Sequence, residues 1–240
     1  MKIALIGYGK MGKEIEKIAL RQNDEIVLRI SSKNINEIKD LSIIAPDVCI
    51  EFSRPESAFE NIKCCLENGI PVVSGTTAWL DKLEEAKALA QKNNTALFYA
   101  PNYSLGVNLF FELNRYAAKL LSNYTNYETS VEEIHHKQKL DAPSGTAIRL
   151  AEHLMSELPG KETWALDQIH NNKELLITAK REDGVPGTHT TFFQSKEDEI
   201  GLTHVAHSRE GFAKGAYQAA NWIVGKKGYF EMKDMLGIKD

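Results

Sequence analysis

The stretch that most constrains this chain begins at its second residue. Lys2 to Ile6 reads as a short apolar strand, and Gly7-Tyr8-Gly9-Lys10-Met11-Gly12 follows at once. Met11, Ile15, Ile18 and Ala19 then recur at helical spacing towards Gln22. A Gly-x-Gly-x-x-Gly between a first strand and a first helix is how α/β proteins cradle the pyrophosphate of a dinucleotide. Gly7 makes the tight turn, Gly9 clears room for the pyrophosphate, and Gly12 lets helix and strand pack closely. The alternative is a Gly-rich turn in an α/β protein that holds no nucleotide.

The pattern continues. Strands are expected at Glu25 to Ile30, Asp47 to Phe52, Pro71 to Ser74 and Ala96 to Ala100, with helices from Pro55 through Cys64 and Leu66 and from Leu80 to Asn93. Such alternation implies a parallel sheet with helices on both faces, and ligands sit at the carboxyl ends of its strands. The candidate loops are therefore Gly7 to Gly12, Phe52-Ser53-Arg54, Gly75-Thr76-Thr77 and Ala100-Pro101-Asn102-Tyr103. For Phe52 and Ser53, plain turn chemistry is an equal reading. The second strand ends in Ser31-Ser32-Lys33, where the fingerprint carries an acid for the ribose hydroxyls.

Beyond Ser104 the character changes. A helix is expected from Val107 to Leu121, with Leu109, Leu113, Tyr116, Ala117 and Leu120 at helical spacing, then a strand from Glu128 to His135. Glu174 to Arg181, Thr188 to Gln194 and Glu199 to Ala206 read as three further strands joined by short turns, which indicates an antiparallel or mixed sheet. A last helix opens at Ser208 and returns to the first domain. The fold class is α/β: a Rossmann-like parallel-sheet domain over residues 1–103 and 209–240, plus an α+β domain over residues 104–208.

Within the second domain lies the densest chemistry, His135-His136-Lys137-Gln138-Lys139-Leu140-Asp141-Ala142-Pro143-Ser144-Gly145-Thr146-Ala147. The histidines exchange protons near neutral pH, and Lys139 is a compact positive charge. Pro143-Ser144-Gly145-Thr146 opens a helix whose Ala147, Ala151, Leu154, Met155 and Leu158 share a face. A helix start offers free N–H groups and a positive dipole end, so it suits an anion. The residues suggest a pocket for a small carboxylate with a lysine, a helix start and a histidine acid. The plainer reading makes Ser144 and Thr146 a cap and Pro143 punctuation. No metal is expected, since no His-x-x-x-His pair or cysteine lies nearby.

Composition narrows the partners. The net charge of −4 over 240 residues excludes a nucleic-acid surface, which needs a basic excess. Three cysteines, Cys49, Cys64 and Cys65, make no disulfide framework and fit a reducing cytoplasm. No apolar run reaches the ~18 residues that span a bilayer, and the N-terminus carries no signal-peptide pattern.

Glu133-Ile134-His135-His136, Lys139 and Asp141 to Ala147 resemble the signature of the 4-hydroxy-tetrahydrodipicolinate reductase family, long called dihydrodipicolinate reductase. Gly75-Thr76-Thr77 and Asn102-Tyr103-Ser104 resemble two further loops of that family, so the likeness covers nearly the whole chain. It implies NAD(P)H-dependent reduction of 4-hydroxy-tetrahydrodipicolinate in lysine and diaminopimelate biosynthesis. The cofactor, NADPH or NADH, is held by Gly7, Tyr8, Gly9, Lys10, Met11, Gly12, Ser31, Ser32, Lys33, Gly75, Thr76, Thr77, Ala100, Pro101, Asn102 and Tyr103, with the aromatic near the nicotinamide. Arg209 and Phe212 are weaker candidates. The dicarboxylate substrate meets Lys139, His136, Ser144, Gly145 and Thr146. His135 is the general acid, Asp141 orients the loop, and the two domains close over the reaction. The resemblance also implies a homotetramer through the second domain, for which Leu175, Ile177, Phe192 and Phe193 offer apolar sheet faces. The readings to be set against this are another two-domain NAD(P)-dependent dehydrogenase, or a nucleotide sensor without turnover. The departure at Ser31 to Lys33 leaves the cofactor preference open.

Overall fold

In the computed structural model, residues 1–208 and 210–238 are described. The first sheet is built from β1 (Lys2–Ile6), β2 (Glu25–Ile30), β3 (Val48–Glu51), β4 (Val72–Ser74), β5 (Ala96–Tyr99) and a late strand near the C-terminus. The helices between them are α1 (Lys10–Arg21), the short α2 (Leu41–Ile44), α3 (Pro55–Glu67) and α4 (Leu83–Lys92). Alternation within β1 shows how the layers form. Ile3 and Leu5 point into a core shared with Ile15 and Ala19 of α1, whereas Ala4 and Ile6 face Ala58 and Ile62 of α3 and Ala86 of α4. Strands buried on both faces are mainly apolar, as β1, β3, β4 and β5 are, with the buried Glu51 and Ser74 at the ends of β3 and β4 as polar exceptions.

The second sheet uses β6 (Glu128–His135), β7 (Thr163–Leu166), β8 (Glu174–Arg181), β9 (Gly187–Gln194) and β10 (Glu199–Ala206), with α5 (Leu105–Leu121) and α6 (Gly145–Glu157). Its order is β10-β9-β6-β8-β7, and it is mixed: β6 runs parallel to β8 and antiparallel to β9. The chain then returns through α7 (Glu210–Ile223), β11 (Gly228–Phe230) and α8 (Met232–Leu236). Strand β11 completes the first sheet, in the order β11-β5-β4-β3-β1-β2, with every pairing parallel. One compact unit is Met1–Leu105 with the segment from Glu210 on; the other runs from Gly106 through Ser208. No helix among the described residues is long and apolar enough to cross a membrane.

Three expectations need correction. Strand β7, and β11 with α8, were not foreseen, because each is short and lies at a sheet edge or beside a Gly turn, where local pattern is weak. On α5 the residues Leu109, Leu113, Tyr116 and Leu120 are exposed, Leu113 by 60%. The buried face is instead Val107, Phe110, Phe111, Asn114 and Ala118, because this helix is apolar on both sides and spacing alone does not choose between them. Finally, Leu175, Ile177 and Phe193 do not form an open apolar sheet face. They lie in the core with Ala147, Leu150 and Leu154 of α6 and Phe110 and Phe111 of α5. Phe192 does stand on the opposite face, in register with Ser130 and Gly201.

Candidate active site

At the carboxyl ends of the first sheet, the Gly-rich loop is held by two backbone bonds, from the N–H of Gly7 and of Tyr8 to the Ile30 carbonyl, at 2.9 and 2.8 Å. Gly7 has φ of +94°, and a Cβ there would stand 2.0 Å from the Phe52 carbonyl oxygen. Only glycine meets both demands. Nothing lies within 4 Å of a Cβ built on Gly9, so the start of α1 is open to a ligand. That open, amide-rich turn fits a pyrophosphate. Lys10 is exposed and Met11 half-buried beside it, while Gly12 is buried against the loop. The Tyr8 hydroxyl donates to Glu16, which also accepts from Arg29 Nε at 2.7 Å, so this ring braces the loop.

The neighbouring loops are tied by a residue that the sequence reading passed over. Glu51, at the end of β3, is wholly buried. Its carboxylate accepts from the Ser53 N–H at 2.8 Å, the Ser53 hydroxyl, Ser74 Oγ at 2.7 Å and Thr76 Oγ1 at 2.9 Å. Burial pushes its pKa up against those hydrogen bonds. Thr76 is thereby a buried strut, whereas Thr77 is exposed and Gly75 half-buried. Tyr103 is only 2% exposed. Its ring packs on Phe52 and Phe98, and its hydroxyl donates to the Ser74 carbonyl at 2.7 Å. The ring is thus floor rather than lining, and of the Ala100 to Tyr103 loop it is Pro101 and Asn102 that reach the surface. Phe212 is half-buried on α7, and Arg209 lies outside the described residues.

At the end of β2, Ser31 is less available than its sequence suggests. Its hydroxyl donates to Asn34 Oδ1 at 2.9 Å and accepts from the Lys33 N–H at 3.3 Å. Ser32 and Lys33 are exposed. Of the two serines, Ser32 keeps an exposed hydroxyl, beside Lys33.

The second unit gathers the central motif by strand register. Glu133 on β6 pairs directly with His189 on β9, and His135 pairs with Arg181 on β8. Side chains at alternate positions share a face, so Glu133, His135, His189 and Arg181 converge at one end of the sheet. Glu133 is wholly buried, and His135 and His189 nearly so. Glu133 Oε2 accepts from the Ser144 N–H at 3.0 Å and lies 3.6 Å from His135 Nδ1 and 3.7 Å from His189 Nε2. Oε1 is 3.4 Å from Arg181 Nη1, and Arg181 Nη2 donates to the Asp141 carbonyl at 2.8 Å. The rings of His135 and His189 meet edge to face with centroids 5.0 Å apart. A Cβ on Gly187 would stand 3.1 Å from His135 Nε2, so the glycine leaves that nitrogen room.

Burial pushes the Glu133 carboxyl up, but His189, the Ser144 hydroxyl and N–H, and His135 outweigh it and hold the pKa at about 2. Burial pushes His135 down to about 4; Glu133 opposes this, while His189, Lys139 and Arg181 add to it. At neutral pH the pair is therefore a carboxylate facing a neutral imidazole.

Ser144 caps α6. Its Oγ accepts from the Ala147 N–H at 3.2 Å and lies 3.1 Å from His189 Nε2. Its polar groups are thus committed, and the cradle for an anion reduces to the amides of Gly145 and Thr146, with Gly145 exposed. Lys139 pairs with Asp141 at 2.8 Å, so Asp141 holds the lysine as well as the loop. His136, half-buried, follows the strand end, and its Nδ1 is buried without a partner. Glu133, His135 and His189 place one donor atom each within 4.8 Å of one another, a spacing that a cation site also uses. Both Glu133 oxygens are already engaged, however, and Lys139 and Arg181 bring positive charge to the same place. The cluster handles protons better than metal.

Two family models match the chain: "Dihydrodipicolinate reductase, N-terminus" over residues 1–103 and "Dihydrodipicolinate reductase, C-terminus" over residues 106–236. The chain belongs to the dihydrodipicolinate reductase family. It is 47% identical to the 4-hydroxy-tetrahydrodipicolinate reductase of Christiangramia forsetii over 236 residues, 98% of each chain. It is 36% identical to that of Methanosarcina mazei over 98% of this chain and 89% of the relative. In fold it is similar to a dipicolinate-bound dihydrodipicolinate reductase from Paenisporosarcina sp. TG-14, with TM-score 0.80 at 24% identity over 98% and 99% of the two chains. An amine dehydrogenase from Mycobacterium smegmatis shares the fold at TM-score 0.62 and 10% identity over 96% and 94%. The reading as an NAD(P)H-dependent oxidoreductase with a Rossmann-like first half stands.

Within that family frame, Glu51, His189 and Arg181 are the site residues that sequence reasoning missed, and Glu133 was read only as the start of a motif. None had a local signal. Strand pairing alone brings His189 and Arg181 to Glu133 and His135 in the second unit, and sets Glu51 beside Ser74 in the first.

Proposed function

We propose that the chain reduces 4-hydroxy-tetrahydrodipicolinate with NADPH or NADH, in lysine and diaminopimelate biosynthesis. The observation that carries this reading is a buried histidine, His135, beside a lysine and an open helix start. A carboxylate-binding sensor needs the last two but not a proton donor. The bound nicotinamide supplies hydride. One substrate carboxylate takes Lys139 from Asp141, and the amides of Gly145 and Thr146 bind a carboxylate. His136 helps orient the ring, and His135 gives the proton that accompanies the hydride. Burial is the main reason His135 is neutral, with the charges of Lys139 and Arg181 adding to it; a dianionic substrate offsets those charges, so binding itself favours the protonated acid. That the Paenisporosarcina enzyme was solved with dipicolinate, a ring with two carboxylates, supports this ligand class. The test is NADPH or NADH consumption on adding the condensation product of pyruvate and aspartate semialdehyde. Turnover supports the reading, and no consumption with either cofactor overturns it.

We also read the chain as a cytoplasmic homotetramer joined through the second unit. The exposed stripe of α5 and the open sheet face carrying Ile134, Leu176, Phe192 and Val205 support assembly there. Light scattering at micromolar concentration tests it, and a monomer refutes it.

A further inference from the structure

The acid needs a reason to be protonated at one nitrogen and not the other. In His135, Nδ1 is buried without a hydrogen-bond partner and faces Glu133 Oε2 at 3.6 Å, while Nε2 faces the space that Gly187 leaves. Every element packed around the ring contributes a polar or charged group: Glu133 on β6, Arg181 on β8, His189 on β9, Lys139 in the loop and Ser144 at the start of α6. Among them Glu133 is the single acid against the ring. The same carboxylate accepts the Ser144 N–H, so it ties the ring to the anion-binding helix start.

We propose that Glu133 is a positioning residue: it fixes the neutral His135 ring as the Nδ1–H tautomer, turns Nε2 towards the substrate, and counters the imidazolium when the ring is charged. The inference rests on the reading of His135 as the general acid. A proton from solvent adds to Nε2 while Nδ1–H stays opposite Glu133. The Nε2 proton passes to the substrate, matching the hydride that a bound NAD(P)H would supply, and the ring returns to its neutral form. A histidine whose second nitrogen is held by a carboxylate is oriented and made more basic in this way.

Two measurements test it. In the unaltered protein, nitrogen-15 chemical shifts of His135 near pH 7 report the tautomer. Nδ1–H is expected, and Nε2–H overturns the proposal whether or not any variant folds. In Glu133→Gln the amide oxygen still accepts from Ser144 but the charge is gone. The alkaline limb of the kcat profile should move down by about 1–2 pH units, with the NADPH KM unchanged and Glu133→Asp keeping most of the wild-type profile. A uniformly lowered profile with its limb in place overturns the proposal. Failure of the underlying reading looks different: His135→Ala would then keep its turnover, while the tautomer stays readable.

Discussion

The depressed His135 pKa predicts how the second unit responds to acid. The folded ring protonates at about 4, against an ordinary value of 6.5. Below pH 6.5 the unfolded chain therefore binds a proton that the folded chain refuses, so stability falls as pH falls, fully expressed only near pH 4. Between pH 7 and pH 5 the unfolded ring takes up nearly all of its proton over about 1.5 units, and at ~1.4 kcal/mol per unit the loss is ~2 kcal/mol. Glu133 titrates too low in the fold to matter in this window; its contribution is lost between 4.5 and about 2. His153 and His204 are also pushed down by burial and add to the slope. A comparison with His135→Gln cancels them. Native-state hydrogen exchange of the paired amides of β6 and β9, measured at pH 7 and pH 5, confines the reading to this sheet. The wild type should lose ~2 kcal/mol more than the variant over that interval. Equal losses in the two proteins would refute the claim that His135 is held neutral by burial.

Other outcomes follow from single contacts. Lys139→Ala should raise the substrate KM about 10- to 100-fold, as for a charged hydrogen bond worth ~1.5–3 kcal/mol, with the NADPH dissociation constant unchanged; steady-state kinetics and a binding titration check both. Gly215→Ala places a methyl 1.7 Å from the Tyr103 carbonyl oxygen, which no side-chain motion relieves, so thermal melting should show a loss of at least ~2–3 kcal/mol. With no acid at the end of β2, NADPH should bind at least as well as NADH, the preference should weaken with salt, and Ser31→Glu should shift it towards NADH. Titration of both cofactors at two salt concentrations checks this, and tenfold tighter NADH binding by the unaltered chain counts against it.

What could be read in advance was local. The Gly7 to Gly12 turn and the His135 to Ala147 run each carry their chemistry within a few residues, so spacing alone exposes them. Tyr103 and Ser144 were read as ligand contacts, and they are polar groups spent on internal bonds, a fact that only packing reveals. Glu133, His189 and Arg181 come together only through register between distant strands of the second sheet, and Glu51 meets Ser74 only through the pairing of β3 with β4 in the first. On α5, helical spacing alone does not choose the buried face: both its faces are apolar, and packing with α6 and the sheet decides which is covered.

The account turns on His135 as the proton donor. Its most direct test is the initial rate of NADPH oxidation by His135→Ala beside the wild type, at saturating substrate and with the cofactor dissociation constant measured in parallel. The account predicts a kcat lower by ~10²–10⁴-fold, as for a lost general acid, with cofactor affinity unchanged; a near-normal kcat would contradict it.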